Sequence, residues 1–193
     1  MATRSSTRTR LLDAAESLLF TRGVAATSVD AVLERAGVSP ATLYRAYAGG
    51  KDELVAAALE RRLQDWVTVW EAAVDRAPDD RRRLLAVFDA LADFQARPEG
   101  ARWCAFLGTA AEYAEPPPVL AAAIAQDSET LRRRLGELAR PVVGRRAPAL
   151  AEALTLVVSG QLAMRLRPTA RTGALVAARA VAETLVEHPE RLR

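Results

Sequence analysis

The sequence predicts an all-α protein with an N-terminal three-helix domain at residues 1–50 and a C-terminal helical bundle at residues 51–193. Three observations support this prediction. Apolar residues recur at intervals of three and four, alternating strand patterns are almost absent, and proline and glycine interrupt the apolar pattern often enough to leave about nine helices. Half of the 193 residues are hydrophobic, so the chain can bury a core without disulfides.

The first predicted helix runs from about residue 6 to residue 21. Its residues Leu11, Ala15 and Leu18 fall on one face, which is therefore expected to be buried. Gly23 stands just past its end, where glycine commonly stops a helix.

Two short helices follow, separated by a tight turn at Gly37. Thr27 or Ser28 caps the first of them. Ser39 caps the second, and Pro40 occupies its first position, where a missing N–H costs nothing. The pattern is typical of a helix-turn-helix, although the spacing alone would also suit any pair of antiparallel helices.

Proline and glycine divide the remainder of the chain into six further helices. They are predicted at about 51–76, 80–97, 101–114, 118–140, 148–167 and 172–187. The long helix that starts at Lys51 is expected to leave the small domain and continue into the bundle.

The excess of positive charge lies in the N-terminal segment. Residues 1–51 hold seven basic and four acidic residues, whereas the remainder holds twenty of each. A basic segment that coincides with a helix-turn-helix pattern makes DNA the first partner to consider.

Enzyme chemistry has little support in the residue types present. The single cysteine, Cys104, and the single histidine, His188, lie far apart in the sequence. They supply neither a nucleophile with its base nor a metal-ligand set, and phosphate-binding glycine motifs are missing. We expect no catalytic residues, no metal and no cofactor.

Cysteine use and hydropathy bear on the compartment. One cysteine excludes an intrachain disulfide, and a free thiol is ordinary in a reducing cytosol, so a cytoplasmic protein is expected. Apolar runs such as 119–125 fall far short of the roughly 20 residues of a membrane span. We interpret Cys104 as a small buried hydrophobic residue, with an oxidation-responsive thiol as the alternative.

The motifs of the first 55 residues resemble the N-terminal domain of TetR-family transcriptional regulators. They are Thr7-Arg8-x-Arg10-Leu11-Leu12-Asp13-Ala14-Ala15, Leu19-Phe20, Arg22-Gly23, Thr27-Ser28-Val29, Ala36-Gly37-Val38-Ser39, Thr42-Leu43-Tyr44 and Lys51-Asp52-Glu53-Leu54. The segment 100–112 is similar to a motif of one subgroup of that family. The resemblance implies a homodimer that binds a palindromic operator and responds to a small-molecule effector.

Candidate DNA-binding residues lie in and around the third helix. They are Thr27, Ser28, Ser39, Pro40, Ala41, Thr42, Tyr44, Arg45, Tyr47 and Lys51. Arg45 can bind guanine or a phosphate, and Ala41 and Thr42 can pack on a thymine methyl. Tyr47 is also expected to hold the helix in its own core. The family resemblance implies that Thr27, Ser28 and Lys51 clamp the DNA backbone.

Candidate effector contacts are the aromatic and amphipathic residues of the bundle. They are Trp66, Trp70, Phe88, Trp103, Cys104, Phe106, Leu107, Glu112 and Gln161. Aromatic residues at helical spacing more often form core, so each carries that alternative. The pattern favours a small, largely apolar effector.

The last two predicted helices carry the candidate dimer interface. Its residues are Leu154, Val157, Val158, Gln161, Leu162, Ala178, Val181 and Leu185. Two such helices from each subunit can form a four-helix interface, which the resemblance also implies. We expect a DNA-binding regulator, most simply a repressor. The alternative is a helical module that binds a small molecule or a protein without reading DNA.

Overall fold

The computed structural model describes residues 6–97, 104–167 and 173–192, and every regular element in these ranges is helical. Nine α-helices and two short 3-10 turns occupy the described ranges, which confirms the predicted fold class. The helices are α1 (Thr7–Arg22), α2 (Val29–Ala36), α3 (Pro40–Ala46), α4 (Gly50–Arg76), α5 (Asp80–Gln95), α6 (Ala105–Glu112), α7 (Pro118–Val143), α8 (Ala147–Met164) and α9 (Ala174–Glu187).

Serine side chains start the first two helices. Ser6 Oγ accepts a hydrogen bond from the Thr9 N–H at 3.1 Å, and Ser28 Oγ accepts from the Ala31 N–H at the same distance. Each bond satisfies one of the N–H groups that a helix start leaves without an internal partner. Ser28, not Thr27, is therefore the cap of α2.

Helix α7 continues through Pro141 to Val143, so the predicted end at residue 140 is wrong. A proline this close to the C-terminal end removes only one hydrogen bond of the last turns. The chain then turns at Gly144, whose φ is +57°. Pro148 lies in the first turn of α8, where the missing N–H has no helical partner to lose.

The helices form two compact units. The first unit contains the described residues up to Leu63 together with Cys104–Ala125. The second unit contains residues 64–97 and the described residues from Gln126 to the end of the chain. This division differs from the predicted boundary at residue 50/51, because α4 is one continuous helix whose first turns belong to the N-terminal unit. Leu54, Val55 and Leu59 on these turns are buried.

The second unit has an extensive apolar core. Trp70, Leu84, Phe88, Leu135, Leu150 and Leu154 are at most 1% exposed in it. Burying one such side chain contributes about 1.5–3 kcal/mol, so this cluster is the main source of stability in its unit.

The stretch Pro118–Met164 has the length and apolar composition of a membrane span, with a window of mean hydropathy 1.3. It consists of two helices, α7 and α8, joined by a 3-10 turn at Gly144–Arg146. Leu150 and Leu154 of this stretch are buried in the second unit's core, which accounts for their apolar character.

Candidate nucleic-acid interface and ligand site

The short helix α3 presents its N-terminal and outward side chains to solvent. Ser39, Pro40, Ala41 and Arg45 are exposed, and Tyr44 keeps 55% of its surface accessible. The opposite side is anchored by Leu43, which is completely buried. This division matches what a helix must have to enter a major groove while staying fixed to its own domain.

Two contacts shape the outer surface of α3. The hydroxyl groups of Ser39 and Thr42 lie 2.9 Å apart in a hydrogen bond. The Tyr44 ring covers the start of α4, since its Cε1 lies 3.2 Å from the position that a Cβ on Gly50 would occupy. Gly50 has a φ of +65°, so a side chain there would be strained as well as crowded. A glycine turn therefore joins α3 to α4 immediately before Lys51.

Tyr47 does not face the surface, in agreement with the core position expected for it, and its side chain is therefore not available for the DNA contact that was also predicted. The side chain is completely buried, and its hydroxyl has no hydrogen-bond partner. Burial raises the pKa of this phenol, while the Arg8 guanidinium, 4.6 Å above the ring, acts in the opposite direction. Arg8 Nη1 also donates to the Ala46 carbonyl at 3.5 Å, so this arginine braces the end of α3.

Thr27 is also turned inward, which corrects its assignment as a phosphate contact through its side chain. It is 2% exposed, and its hydroxyl donates to the Gly23 carbonyl at 2.8 Å. Lys51 is half-buried, and its Nζ donates to the Val24 carbonyl at 2.7 Å. The ammonium group retains two further N–H bonds for a phosphate.

The aromatic candidates of the second unit form one cluster. The Trp66 ring centroid lies 5.6 Å from that of Trp70 in a tilted arrangement and 5.6 Å from that of Phe94 in an edge contact. Trp70 and Phe88 are fully buried and serve as core, whereas Trp66 is half-buried. Trp66 is therefore the aromatic residue of this set best placed to meet a ligand.

Polar groups without partners lie within the same unit. Gln161 is 5% exposed and its Oε1 accepts no hydrogen bond, and Trp70 Nε1 donates none. Such groups cost free energy unless water or a ligand satisfies them.

Asp127 on α7 is half-buried, and burial raises the pKa of its carboxyl group to about 7. The sequence analysis missed Asp127, although an acidic residue between Ile124 and Leu131 on an apolar face is a readable signal.

The remaining ligand candidates lie in the first unit or outside the described residues. Cys104 and Leu107 are half-buried near the start of α6, and Phe106 is buried there. Trp103 lies outside the described residues. Glu112 is exposed, and its carboxylate accepts hydrogen bonds from the N–H groups of Val24 and Ala25, a role that differs from the effector contact predicted for it. The described residues contain no cluster of metal-binding side chains.

The predicted dimer residues divide between the core and the surface. Leu154, Val158, Gln161 and Ala178 are buried within their own chain, because they face the core between α8 and its neighbours, so they cannot form an outer interface. Val157, Leu162 and Leu185 are half-buried against that core. Val181 is 50% exposed, and the sequence analysis missed Leu156 and Val176, which are 71% and 74% exposed.

Comparisons with known proteins agree with this arrangement. The sequence model described as "Bacterial regulatory proteins, tetR family" matches residues 11–58. The transcriptional activator FasR of Mycolicibacterium smegmatis is 36% identical over 91 residues, which are 47% of this chain and 41% of FasR. The regulator BetI of Brucella anthropi is 35% identical over 80 residues, or 42% of this chain and 41% of BetI. The chain thus matches well under half the length of each of these relatives.

A solved structure extends the likeness beyond the N-terminal domain. A TetR-family transcriptional regulator from Streptomyces coelicolor superposes with a TM-score of 0.85 at 27% identity, covering 96% of this chain and 90% of that one. Another, a transcriptional regulator from Legionella pneumophila, shares the fold with a TM-score of 0.78 at 18% identity, covering 95% and 98%. Residues 11–58 therefore match the N-terminal domain of the tetR family of regulatory proteins, and the described chain shares the fold of a TetR-family transcriptional regulator.

Proposed function

We propose that this regulator binds a palindromic operator as a homodimer and is released from it by a small, largely apolar effector. The observation that carries the proposal is the two-sided character of α3: Leu43 is buried, while Tyr44 and Arg45 project outward beside the exposed helix start. An arginine in this position can bind guanine in two places or a backbone phosphate. The tyrosine can donate its hydroxyl to the backbone.

Dimerisation is supported by an apolar face that the chain itself leaves uncovered. Leu156 on α8 and Val176 and Val181 on α9 expose at least half of their surface. Helices α8 and α9 pack on each other, so the face could form half of a four-helix interface. A twofold dimer would place two copies of α3 about one DNA turn apart, roughly 34 Å, or a multiple of it.

Effector binding is supported by the environment around Trp66. A half-buried aromatic ring that packs edge-on against Phe94 suits a ligand that is mostly apolar. Gln161 Oε1, which is buried in the same unit without a hydrogen-bond partner, would accept a hydrogen bond from a ligand that reached it. Binding would release DNA only to the extent that the ligand prefers the conformation that does not bind the operator. Quenching of tryptophan fluorescence by candidate compounds, lost in Trp66→Phe, would test this site.

We propose that the protein represses transcription. We also propose that it acts in the cytoplasm, where the operator DNA would be found. One of the relatives, FasR, is named an activator, so a separate measurement must decide between repression and activation of transcription. A reporter gene placed behind the selected operator decides it. Lower expression in the presence of the regulator supports repression, whereas higher expression supports activation.

Two alanine variants test the DNA-binding assignment against the alternative of a helical module that does not read DNA. Tyr44→Ala and Arg45→Ala should each weaken binding to a duplex selected by the wild-type protein, measured by fluorescence anisotropy. The loss should be about 1–3 kcal/mol for Arg45→Ala if Arg45 contacts a base, and similar for all sequences for Tyr44→Ala, since Tyr44 is assigned to the DNA backbone. Arg133→Ala on α7 is the matched control, because Arg133 is an exposed arginine paired only locally with Glu137. Equal binding by all three variants would favour the alternative.

A further inference from the structure

The loop between α1 and α2 is held by a side chain that arrives from 88 residues further along the chain. Glu112, the last residue of α6, accepts a hydrogen bond from the Val24 N–H through Oε1 at 3.0 Å. Its Oε2 accepts a second from the Ala25 N–H. One carboxylate thus binds two consecutive backbone amides, all within the first unit.

The peptide group between Val24 and Ala25 is bound at both ends by opposite charges. Its N–H donates to the Glu112 carboxylate, and its carbonyl accepts from Lys51 Nζ at 2.7 Å. Hydrogen bonds to ionised groups are roughly twice as strong as neutral ones, and two of them on one peptide polarise it cooperatively. The loop is therefore held by two helices at one peptide group: α6 binds its N–H through Glu112, and α4 binds its carbonyl through Lys51.

The local chemistry indicates that Glu112 is placed for this contact. A carboxylate at the C-terminal end of a helix is unfavourable with respect to the helix dipole, so Glu112 does not stabilise α6 by itself. Gly23 adopts a φ of +91°, and a Cβ at that position would overlap Glu112 Oε1. The absence of a side chain at residue 23 is what lets the carboxylate reach the two amides.

The loop leads directly into the DNA-reading helices. Thr27, buried in the loop, donates its hydroxyl to the Gly23 carbonyl, and Ser28 follows as the cap of α2. Helix α2 is joined to α3 through the turn at Gly37. A shift of the 23–27 loop would therefore move the start of α2, and α3 would follow.

We propose that Glu112 is a positioning residue that couples α6 to the helix-turn-helix through the Val24–Ala25 peptide. A displacement of α6 would displace the loop and α3 through this contact. DNA binding at α3 would in turn restrain α6, since coupling between two sites is reciprocal. The inference rests on the proposed DNA-binding function and adds a residue and a path to it.

Hydrogen exchange measured by mass spectrometry tests the contact without DNA. In Glu112→Ala, the amides of residues 24 and 25 should exchange at least about tenfold faster, because two charge-assisted hydrogen bonds are lost. Glu112→Gln should lie between Ala and wild type, since an amide side chain offers only one acceptor oxygen. Glu115→Ala, at an exposed acidic residue three positions later, should exchange like wild type. Unchanged exchange in Glu112→Ala, or equal acceleration in Glu115→Ala, overturns the proposal.

The coupling itself is tested by adding the selected operator duplex under conditions where all variants are folded. In wild type and Glu115→Ala, DNA should slow exchange across residues 105–112 by at least about threefold, because α6 is tied to the DNA-bound loop. In Glu112→Ala this response should vanish at saturating DNA. If α6 still responds in Glu112→Ala, the coupling role is wrong even where the loop opens. If wild type selects no sequence, the proposed function fails, and the loop exchange still decides whether the Glu112 contact exists.

Discussion

Each of the two units has its own apolar core, and the units differ in the polar contacts that supplement it. In the first, charged side chains bind the backbone at defined points: Glu112 at Val24 and Ala25, Lys51 at Val24, and Arg8 at Ala46. In the second, charged side chains pair with one another, as Arg179 does with Asp89, around the apolar cluster that contains Trp70. A hydrogen bond to a backbone group restrains the chain itself, whereas an ion pair between largely exposed side chains restrains it less.

This difference suits the two tasks. A helix that reads base edges must place its side chains to within a fraction of a hydrogen-bond length, and its unit supplies directional restraints. In the second unit, the unpaired Gln161 Oε1 costs stability, and the effector binding that we propose would satisfy it. The predictions below compare the two sources of order, from the largest expected effect to the smallest.

Two leucines on one turn of α8 separate core packing from the exposed face. Leu154 is completely buried and Leu156 is 71% exposed. Leu154→Ala should lower the free energy of unfolding by about 2–5 kcal/mol through the cavity it leaves. Leu156→Ala should leave the stability of the folded chain nearly unchanged and weaken dimerisation instead. Urea unfolding and sedimentation velocity distinguish the two, and a dimer unaffected by Leu156→Ala would remove this face from the interface.

Two glycines test how closely the first unit is fixed. Gly23→Ala should cost about 2–3 kcal/mol, because its φ of +91° suits glycine and the new Cβ would meet Glu112. Gly37→Ala should cost only about 1 kcal/mol, since its φ is +63° and no atom lies within 4 Å of the added Cβ. Urea unfolding at neutral pH measures both. Equal costs would mean that the approach of Glu112 is looser than the structure indicates.

Asp127 gives the second unit a pH dependence. Its folded-state pKa of about 7 lies above the unfolded value of 3.8, so the carboxyl group is neutral in the folded chain and ionised in the unfolded chain between these values. Stability is therefore lost as pH rises from about 4 to 7. Asp127→Asn should raise the free energy of unfolding by about 1–2 kcal/mol at pH 8 and change it little at pH 4, allowing for partial solvent access. Urea unfolding at the two pH values checks this, with Glu129→Gln, an exposed neighbour, as the control. A gain at pH 4 equal to that at pH 8 would contradict it.

Partly buried ion pairs should contribute more to the free energy of unfolding than exposed ones. Arg61 binds Asp13 at 2.9 Å and Glu16 at 2.6 Å, and its own side chain is 27% exposed. Arg61→Ala should cost about 1 kcal/mol, whereas breaking the exposed Arg133–Glu137 pair should cost less than about 0.5 kcal/mol. Raising the salt concentration should lower the cost of breaking the exposed Arg133–Glu137 pair more than the cost of Arg61→Ala, because screening acts mainly on exposed charges. Thermal unfolding in low and high salt measures both effects, and equal losses would contradict the contrast.

The sequence predicted the helices well because local rules set their limits. The long helix α4 was predicted at 51–76 and occurs at Gly50–Arg76, and the Ser28 cap of α2 and the turn at Gly37 depend on residues within a few positions of each other. The cap predicted at Ser39 is different, because its hydroxyl bonds to the Thr42 hydroxyl and not to an N–H group of α3. Burial in α8 was harder to predict. This helix is apolar on several sides, so Leu154 and Leu156 look alike until the packing of α9 and α5 decides which one is covered.

The role of Glu112 could not be predicted from local pattern. Its partners are backbone amides 88 and 87 residues away, and an amide N–H carries no mark in the sequence. Family resemblance implied a DNA-backbone contact for Thr27, yet its hydroxyl bonds to the Gly23 carbonyl inside the loop. For Tyr47 the sequence left both a DNA contact and a core position open, and the side chain is buried beneath Arg8. Their environments depend on tertiary contacts that spacing does not encode.

The central claim is that this chain reads DNA as a symmetric dimer. Selection of bound duplexes from random and genomic DNA with purified protein, at two salt concentrations, tests it most directly. The account predicts enrichment of a palindrome whose half-sites lie about one helical turn apart, or a multiple of it, and which persists at the higher salt. Binding that is blind to sequence and disappears with salt would contradict the claim.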